Sequence, residues 1–326
     1  MAGSLGQRLA LMNPAATLIE DRGAAAEEPA HFFRSRAFYD AEGVTHTLRI
    51  EAADSELALP VLVRAIDEQE GAIDASSPYS YPGGALSGAP IDPAAVDFSA
   101  TGLVSLFVRD RLGEPAAFAG GKARARVQVS DPELPRKSRM SDRQQIRKNE
   151  AAGYEVSGVS GPDSDGELRA EFLRVYTETM RLVDASERYF FDAAYFDQLL
   201  AFRDSWLFTV TAADGEVAAV ALAARSDGFL HYYLSGTADQ HRRQAPSKNL
   251  IVAVTDHAEQ LRLPLNLGGG LRPGDGLEEF KRGFANAELP WRTHEIICEP
   301  DAYRRLAAAA TAGTETRFFP AYRAPA

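Results

Sequence analysis

Residues 229–284 alternate between strand-like and helix-like apolar patterns. An apolar run ends at Leu234, and a polar segment then extends to Pro246. The apolar positions that follow recur at intervals of three or four, which predicts one buried helix face with Ser247 as its N-cap. They are Leu250, Ile251, Val254, Ala258 and Leu261. A short strand at 264–267 then breaks at Gly268–Gly270, and a second helix begins near Leu277.

This order of strand, polar loop, helix, strand, glycine loop and helix predicts an α/β crossover. Such a crossover places polar loops and helix N-termini at the carboxyl ends of strands, where open α/β sheets bind ligands. We therefore expect the functional site in this stretch.

The remaining patterns mix both element types. Two Asp-Gly turns, at 214–215 and 227–228, separate β-type runs and predict a three-stranded antiparallel meander. Further strands are predicted at 45–50, 57–66, 103–108, 124–129, 154–159 and 291–297, and helices at 31–38, 168–183, 193–202 and 301–310. Prolines and glycines exclude regular structure from 74–88, and residues 1–30 are predicted to form a partly ordered arm. The fold class is α/β (α+β).

Composition and charge exclude several classes of protein. The formal net charge of −11 argues against non-specific coating of nucleic acid, which needs a dominant basic face, but it leaves room for a local basic patch. The single cysteine, Cys298, excludes a disulfide within the chain and is predicted to be a small core residue. No apolar run reaches the ~20 residues of a membrane span. We therefore expect a cytoplasmic monomer or homodimer without stable membrane insertion.

Three polar segments are candidates for ligand contacts. Tyr79 and Tyr81, in the loop 74–88, either pack as loop rings or present hydroxyl groups to a substrate. Residues 135–148 are the most basic piece, and Ser141 is the predicted N-cap of a helix that ends at Gly153. Arg143 and Arg147 lie either on a solvated face or in a phosphate-binding patch. Gly269 and Gly270 begin the third segment, which continues through Arg272 and Asp275. One glycine suffices for a turn, and three favour close approach of the backbone to a ligand.

Several short motifs resemble those of the Fem-type peptidyltransferases, a family with the GNAT fold. They occur in the family's order and span roughly 77–284: SPYSYPGG at 77–84, RQQIRKNEAAGYEV at 143–156, FLRVYTETM at 172–180, YFF at 189–191, YYLSGT at 232–237, NLGGG at 266–270 and FKRGF at 280–284. The resemblance implies two GNAT-like subdomains with mixed sheets and a substrate channel between them. The domains expected from it are 1–150 with 298–326, and 151–297, the second carrying the active site.

The resemblance also implies an activity. Members transfer an aminoacyl group, usually from aminoacyl-tRNA, to an amine, without acetyl-CoA or a metal as cofactor. Phe280 and Lys281 match the family's active-site Phe-Lys pair. Tyr233 matches a substrate-contacting strand residue, and His231 replaces the second tyrosine of that strand; Ser235 belongs to the same motif. Tyr195 matches a family tyrosine, but Phe191 replaces the arginine that holds nucleotide phosphate, which disfavours a UDP-linked muropeptide acceptor.

The chemistry of acyl transfer fits these residues. A cation must stabilise the developing oxyanion, and a proton must leave the attacking amine. Lys281 either supplies that cation or is a surface lysine beside Arg282. His231 either acts as a base or is a packed, hydrogen-bonded residue. Enzymes of this fold that use acetyl-CoA hold its pyrophosphate with a glycine-rich loop before the central helix. Here that segment reads RRQAPS at 242–247, and Pro246 removes a donor.

Three hypotheses follow from the sequence. The first is an aminoacyltransferase that uses aminoacyl-tRNA and modifies a peptide, a peptidoglycan precursor or a small natural product. Arg242, Arg243 and Lys248, together with Arg143 and Arg147, would then contact tRNA phosphates. The second is an acyl-CoA-dependent N-acyltransferase. The third is a binding module that has lost catalysis. No HExxH, Cys/His cluster, GxSxG or Walker motif supports a metal, serine-hydrolase or NTPase site.

Overall fold

The chain forms two compact units, and each unit combines segments that are separated in the sequence. The computed structural model describes residues 13–24, 31–272, 274–311, 316 and 318–324. Within these residues, unit 1 comprises 13–24, 42–124 and 291–324, and unit 2 comprises 31–41 and 125–290. The fold is α/β, as predicted.

Unit 1 is built on a mixed sheet with the order β1-β2-β3-β4-β6-β13, and β5 pairs with β3. Its strands are β1 (Ala15–Glu20), β2 (His46–Glu51), β3 (Glu56–Ala65), β4 (Ile73–Ser76), β5 (Ala85–Ser87), β6 (Leu103–Arg109) and β13 (Ala287–Ile297). The polar turn 53–56 between the strands predicted at 45–50 and 57–66 indicates a hairpin, and β2 and β3 do pair antiparallel from His46↔Val61 to Glu51↔Glu56. Leu48, Ile50, Leu59 and Leu106 lie at the centre of its core.

Unit 2 carries the sheet β7-β12-β11-β10-β9-β8. Its strands are β7 (Lys122–Ser130), β8 (Glu155–Ser160), β9 (Ser205–Thr211), β10 (Val217–Ser226), β11 (Phe229–Thr237) and β12 (Leu265–Gly268). The meander β9-β10-β11 is antiparallel, as the two Asp-Gly turns predict. Strand β12 then pairs parallel to β11 after a helical crossover.

The helices are α1 (Arg36–Glu42), α2 (Met140–Ala151), α3 (Gly166–Leu182), α4 (Ala193–Leu200), α5 (Ser247–Leu261), α6 (Gly276–Arg282) and α7 (Pro300–Thr311). Two predicted N-caps are wrong by one or two positions. Ser247 is the first residue of α5, after Pro246, and α2 begins before Ser141, with Arg139 at the cap. Neither cap makes a side-chain hydrogen bond. In the described residues, no helix is long and apolar enough to cross a membrane.

Three further expectations need correction. Part of the arm predicted at 1–30 is strand β1, and residues 1–12 and 25–30 lie outside the described residues. Strands β4 and β5 occupy part of 74–88, where proline and glycine argued against regular structure. Both strands are short and flank the Pro/Gly-rich turn, so the local signal was right only for the turn itself. The helix predicted at 31–38 is a 3₁₀ turn, Phe32–Arg34, followed by α1.

The C-terminal segment 318–324 is fastened to unit 1 by a buried carboxylate. Asp74 is fully buried and accepts from Arg64 Nε at 2.9 Å and from Arg323 Nε at 2.5 Å. Beside it, the hydroxyl groups of Tyr322 and Ser105 are 2.7 Å apart. The two arginines compensate the buried negative charge of Asp74. Burying this carboxylate without them would cost free energy of folding.

Replacing Asp74 with asparagine should therefore weaken unit 1. We expect D74N to lower the free energy of unfolding by about 1–3 kcal/mol, the usual contribution of hydrogen bonds to a charged group. Denaturant titration followed by circular dichroism measures the change. The control is D301N, which removes an exposed ion pair with Arg304 and should cost under about 0.5 kcal/mol. Equal losses in both variants would contradict the assignment.

Candidate active site

Strand β11 contains a β-bulge at Tyr233. Consecutive residues of β10 pair with Leu234 and Tyr232, so Tyr233 is the extra residue of the ladder. Bulges redirect side chains and are frequent beside active sites. Tyr232 packs into the core that includes α5. Tyr233 instead contacts three buried rings of the segment 31–41, at centroid distances of 5.3 to 6.4 Å: Phe32, Phe33 and Phe38.

Strands β11 and β12 separate at their carboxyl ends. They pair at only two positions, Leu230↔Leu265 and His231↔Asn266. Strand β12 then ends at Gly268, whereas β11 continues to Thr237. Both strands run in the same direction, so the bulge and the glycine loop lie at the same edge of the sheet, where α/β sheets bind ligands.

His231 lies at the last paired position and is held on both ring nitrogens. Nε2 is 3.2 Å from Ser226 O, and Nδ1 is 3.0 Å from Asn266 Nδ2. These partners require a neutral ring that donates from Nε2 and accepts at Nδ1. Burial lowers the pKa of His231 to about 4. Of the two sequence readings, the structure places His231 as a packed, hydrogen-bonded residue.

Lys281 lies in the last turn of α6 and reaches back to the glycine loop. Its Nζ donates to Gly269 O at 2.8 Å. Desolvation by burial lowers the pKa of Lys281 to about 8, and the negative charge of Asp275 opposes that shift. The side chain is half-buried.

The glycine loop folds around Asp275. Its Oδ2 accepts from the N–H groups of Leu271 and Arg272 at 2.7 and 2.8 Å, and Oδ1 accepts from Glu278 N at 2.8 Å. These bonds lower the pKa of the Asp275 carboxyl. A Cβ on Gly270 would lie 2.2 Å from Oδ1, so the close approach that requires glycine there is to this carboxylate. Gly268 has φ +77°, which also favours glycine.

Tyr195 meets Tyr233 from helix α4. Their hydroxyl oxygens are 3.1 Å apart. The ring of Phe191 stacks on that of Tyr195 at a centroid distance of 3.9 Å and an interplanar angle of 5°. Phe191 therefore adds an aromatic face beside Tyr195, at the position where the family pattern has an arginine.

The remaining residues of this edge have mixed environments. Ser235 is half-buried on β11, and its hydrogen bond to Tyr232 partly offsets the desolvation that raises the pKa of that tyrosine to about 12. Phe280 packs against the core of unit 2 with its ring 5.7 Å from that of Phe284. Arg272 is exposed.

The predicted phosphate-binding residues divide into two groups. Arg143 and Arg147 of α2, and Arg242 and Arg243 before α5, are exposed. Lys248 instead forms a 2.9 Å ion pair with the buried Asp142, and this pair packs α2 against the first turn of α5.

Tyr79 and Tyr81 belong to unit 1, whereas the other predicted site residues belong to unit 2. The backbone N–H of Tyr79 donates to Glu42 Oε2 at 3.0 Å, and the ring of Tyr81 lies edge-on to Trp291 at 5.5 Å. Both side chains are half-buried.

Sequence reasoning missed two residues that organise this edge. Asn266 joins the strands, because its Nδ2 contacts His231 and its Oδ1 accepts from Gly268 N at 2.8 Å; no sequence signal marks an asparagine for this role. Asp275 was noted only as a loop residue, although an aspartate directly before a helical pattern is an N-cap signal. The described residues contain no group of three or more His, Cys, Asp or Glu side chains able to hold a metal ion.

Part of the chain matches a known family model. Residues 136–282 match the family model described as an acetyltransferase (GNAT) domain. That segment runs from the residues before α2 to the end of α6 and contains the whole edge described above. A comparison with curated protein sequences finds no match.

Solved structures extend the likeness over most of the chain. FemX aligns with a TM-score of 0.57 at 11% identity, over 79% of this chain and 90% of that one. The C-terminal domain of a putative lysylphosphatidylglycerol synthetase from Agrobacterium fabrum aligns with a TM-score of 0.52 at 13% identity, over 84% and 90%. A protein of unknown function from Bacteroides thetaiotaomicron gives 0.54 at 10%, over 85% and 94%.

At these identities the structural neighbours show the fold alone. Together with the family match over residues 136–282, they show a GNAT-type fold with a Fem-like architecture. The resemblance drawn from the sequence motifs is confirmed at this level.

Two glycines of the loop should respond oppositely to alanine. G270A places its Cβ against Asp275, and we expect the free energy of unfolding to fall by about 1–3 kcal/mol, as for other overpacked sites. G276A meets no atom within 4 Å at the start of α6, and it should be neutral or stabilise by up to about 1 kcal/mol. Thermal denaturation of both variants tests this, and a tolerated G270A would disprove the close approach.

Proposed function

We propose that the protein transfers an aminoacyl group from aminoacyl-tRNA to an amine and forms an amide bond. The observation that carries the proposal is the placement of Lys281. Its half-buried amine is hydrogen-bonded to Gly269 O just beyond the end of β12, at the sheet edge where a reactive group would be presented to substrate. The match of FKRGF to the Fem-type motif supports the same role.

In this reaction the amine nitrogen of the acceptor attacks the ester carbonyl of the aminoacyl-tRNA. A C–N bond forms, the C–O bond to the terminal ribose breaks, and the ribose hydroxyl leaves as an alcohol with the proton that the amine gives up. The protonated Lys281 stabilises the negative charge that develops on the carbonyl oxygen, and such electrostatic stabilisation is usually worth about 10²–10³ in rate. Phe280 forms part of the wall beside it.

The loop before α5 argues for tRNA rather than CoA as donor. In enzymes that bind CoA through a helix N-terminus, free backbone N–H groups hold the pyrophosphate. Here the first turn of α5 is packed against α2: Asn149 Nδ2 contacts Asn249 Oδ1 at 2.7 Å and Gln244 O at 2.9 Å. The Lys248–Asp142 ion pair joins the same turn to α2.

The negative charge near this loop also favours tRNA over CoA as donor. A groove beside Gln240 is lined by Asp165, Glu167, Glu171 and Glu216, with Arg174 as its one cation among the described residues. Such a groove would repel a pyrophosphate. The exposed Arg143, Arg147, Arg242 and Arg243 are available for the more distributed phosphates of a tRNA acceptor end, which are bound as a set of surface contacts.

For the acceptor, we propose an amine on a peptide, a peptidoglycan precursor or a small natural product, contacted by Tyr195 and Tyr233. Phe191 gives this side an aromatic rather than a cationic face, which supports an acceptor without a nucleotide diphosphate. One structural neighbour is named for lysylphosphatidylglycerol synthesis, and a lipid-linked amine or alcohol is therefore a useful member of an acceptor panel.

The alternative is an acyl-CoA-dependent N-acyltransferase, which the acetyltransferase family match favours. A single-turnover assay separates the two. Purified protein is mixed with radiolabelled aminoacyl-tRNA pools or with labelled acetyl-CoA, and with cell metabolites as acceptor. Label that moves from tRNA into a small product, and stays on tRNA with K281M, supports the proposal. Intact tRNA ester with consumption of acetyl-CoA would establish the alternative.

The pH dependence of transfer should follow the charge of Lys281. A cationic Lys281 acts below its pKa of about 8, so the single-turnover rate, corrected for spontaneous ester hydrolysis, should fall as the pH rises through 8. K281R keeps its charge to higher pH and should lose this fall, although at a lower rate. The control R282K, on the same helix, should keep the wild-type profile. A rate that rises through pH 8 would instead assign Lys281 as a base.

A further inference from the structure

We propose that Asp275 is the positioning residue for Lys281: it fixes the glycine loop whose carbonyl holds the lysine amine. The inference rests on the proposed function for its catalytic meaning, but its structural part can be measured without any substrate. It assigns a role to a residue that contacts neither donor nor acceptor in the proposed reaction.

The carboxylate of Asp275 ties two backbone segments together with both oxygens. Oδ1 caps helix α6 through Glu278 N, and Oδ2 binds the N–H groups of Leu271 and Arg272 in the preceding loop. A helix cap alone needs only the first of these bonds. The second oxygen therefore does something beyond capping: it fixes the loop relative to the helix.

Lys281 depends on that fixed relation. Its Nζ spans from α6 to Gly269 O, and Gly269 lies two residues before the first N–H that Asp275 holds. The neighbouring Gly270 packs so closely on Oδ1 that a side chain there has no room. Any movement of the loop away from α6 would lengthen the Lys281–Gly269 contact and free the amine.

Asp275 is also the anion that acts on Lys281, since it is the charged group whose field raises the pKa of this lysine against the effect of burial. The other charges nearby have partners of their own. Glu278 and Glu279 bond to Arg282, and Arg139 pairs with Glu279.

Two acidic groups of the neighbouring elements β13 and α2 are paired as well. Glu288 bonds to Arg126 at 2.7 Å, and Asp142 bonds to Lys248 at 2.9 Å. Removing the Asp275 charge should thus leave Lys281 without compensation for its burial.

Two substitutions separate capping from positioning. Serine caps helices about as well as aspartate but has a single oxygen, so D275S keeps the bond to Glu278 N and loses the two loop bonds. D275N keeps one acceptor oxygen, turns an amide N–H₂ group toward backbone donors, and removes the charge. E279Q is the matched control, because Glu279 is an exposed acid on the same helix.

The first measurement is the pKa of Lys281 by NMR of ¹³C,¹⁵N-lysine. The chain has five lysines, and the K281M spectrum assigns the signal. We expect D275S and D275N to lower the pKa of Lys281 from the wild-type value, and E279Q to leave it unchanged. An unchanged value in D275N would overturn the electrostatic part of the proposal, whatever the reaction proves to be.

The second measurement is single-turnover transfer with thermal denaturation in parallel. We expect D275S to keep the wild-type unfolding temperature within a few degrees and to lose at least tenfold in transfer rate, with the fall in rate displaced to lower pH. A D275S protein with full transfer would reduce Asp275 to a helix cap and overturn the proposal. Loss of transfer in wild type as well, with the NMR shifts intact, would refute only the proposed reaction.

Discussion

One buried hydrogen bond, between His231 and Asn266, sets the geometry of the site. It lies at the last position where β11 and β12 pair. Oδ1 of the same asparagine accepts a hydrogen bond from the N–H of Gly268, where the glycine loop begins. Both polar side chains are nearly inaccessible to water, so leaving either one unpaired would cost about 1–3 kcal/mol. That cost keeps the strands together up to this point, and the bulge at Tyr233 lets them diverge immediately afterwards.

The first turn of α5 bears on the choice of acyl donor in the proposed reaction. A helix N-terminus with free N–H groups attracts a compact dianion, but here neighbouring side chains of α2 are packed onto it. The chain as a whole is acidic, and its exposed arginines Arg143, Arg147, Arg242 and Arg243 are spread over α2 and the turn before α5. Such a distribution suits a long, weakly held polyanion better than a small one held in a pocket.

Much of the fold could be predicted from local pattern. The α/β crossover, the meander and the helix faces follow from periodicity, because burial of one face imposes a repeat of two or 3.6 residues. The short strands β4 and β5 were missed because the prolines and glycines beside them hid the pairing that both make with β3. The N-caps were misplaced because Pro246 and Arg139 precede their helices without a side-chain cap.

The candidate site could be predicted only where a residue type carries its own chemistry. Lys281 and the tyrosines were found through motifs. The roles of Asn266 and Asp275 were not, because each depends on which backbone groups the fold brings within 3 Å. The glycines show the same limit: their number suggested a ligand, whereas the close neighbour of Gly270 is a carboxylate of the protein itself.

The division of the chain between the two units has a consequence for biosynthesis. In unit 2, Phe32 and Phe33 pack on Tyr233, which is synthesised two hundred residues later. In unit 1, strand β13 and the Asp74–Arg323 ion pair complete a core whose first strands precede them by more than two hundred residues. A nascent chain thus carries apolar surfaces of unit 1 without their partners until strand β13 and the segment 318–324 have been made. Folding of unit 1 therefore has to wait for the segment after residue 290, whereas unit 2 has all of its segments by then.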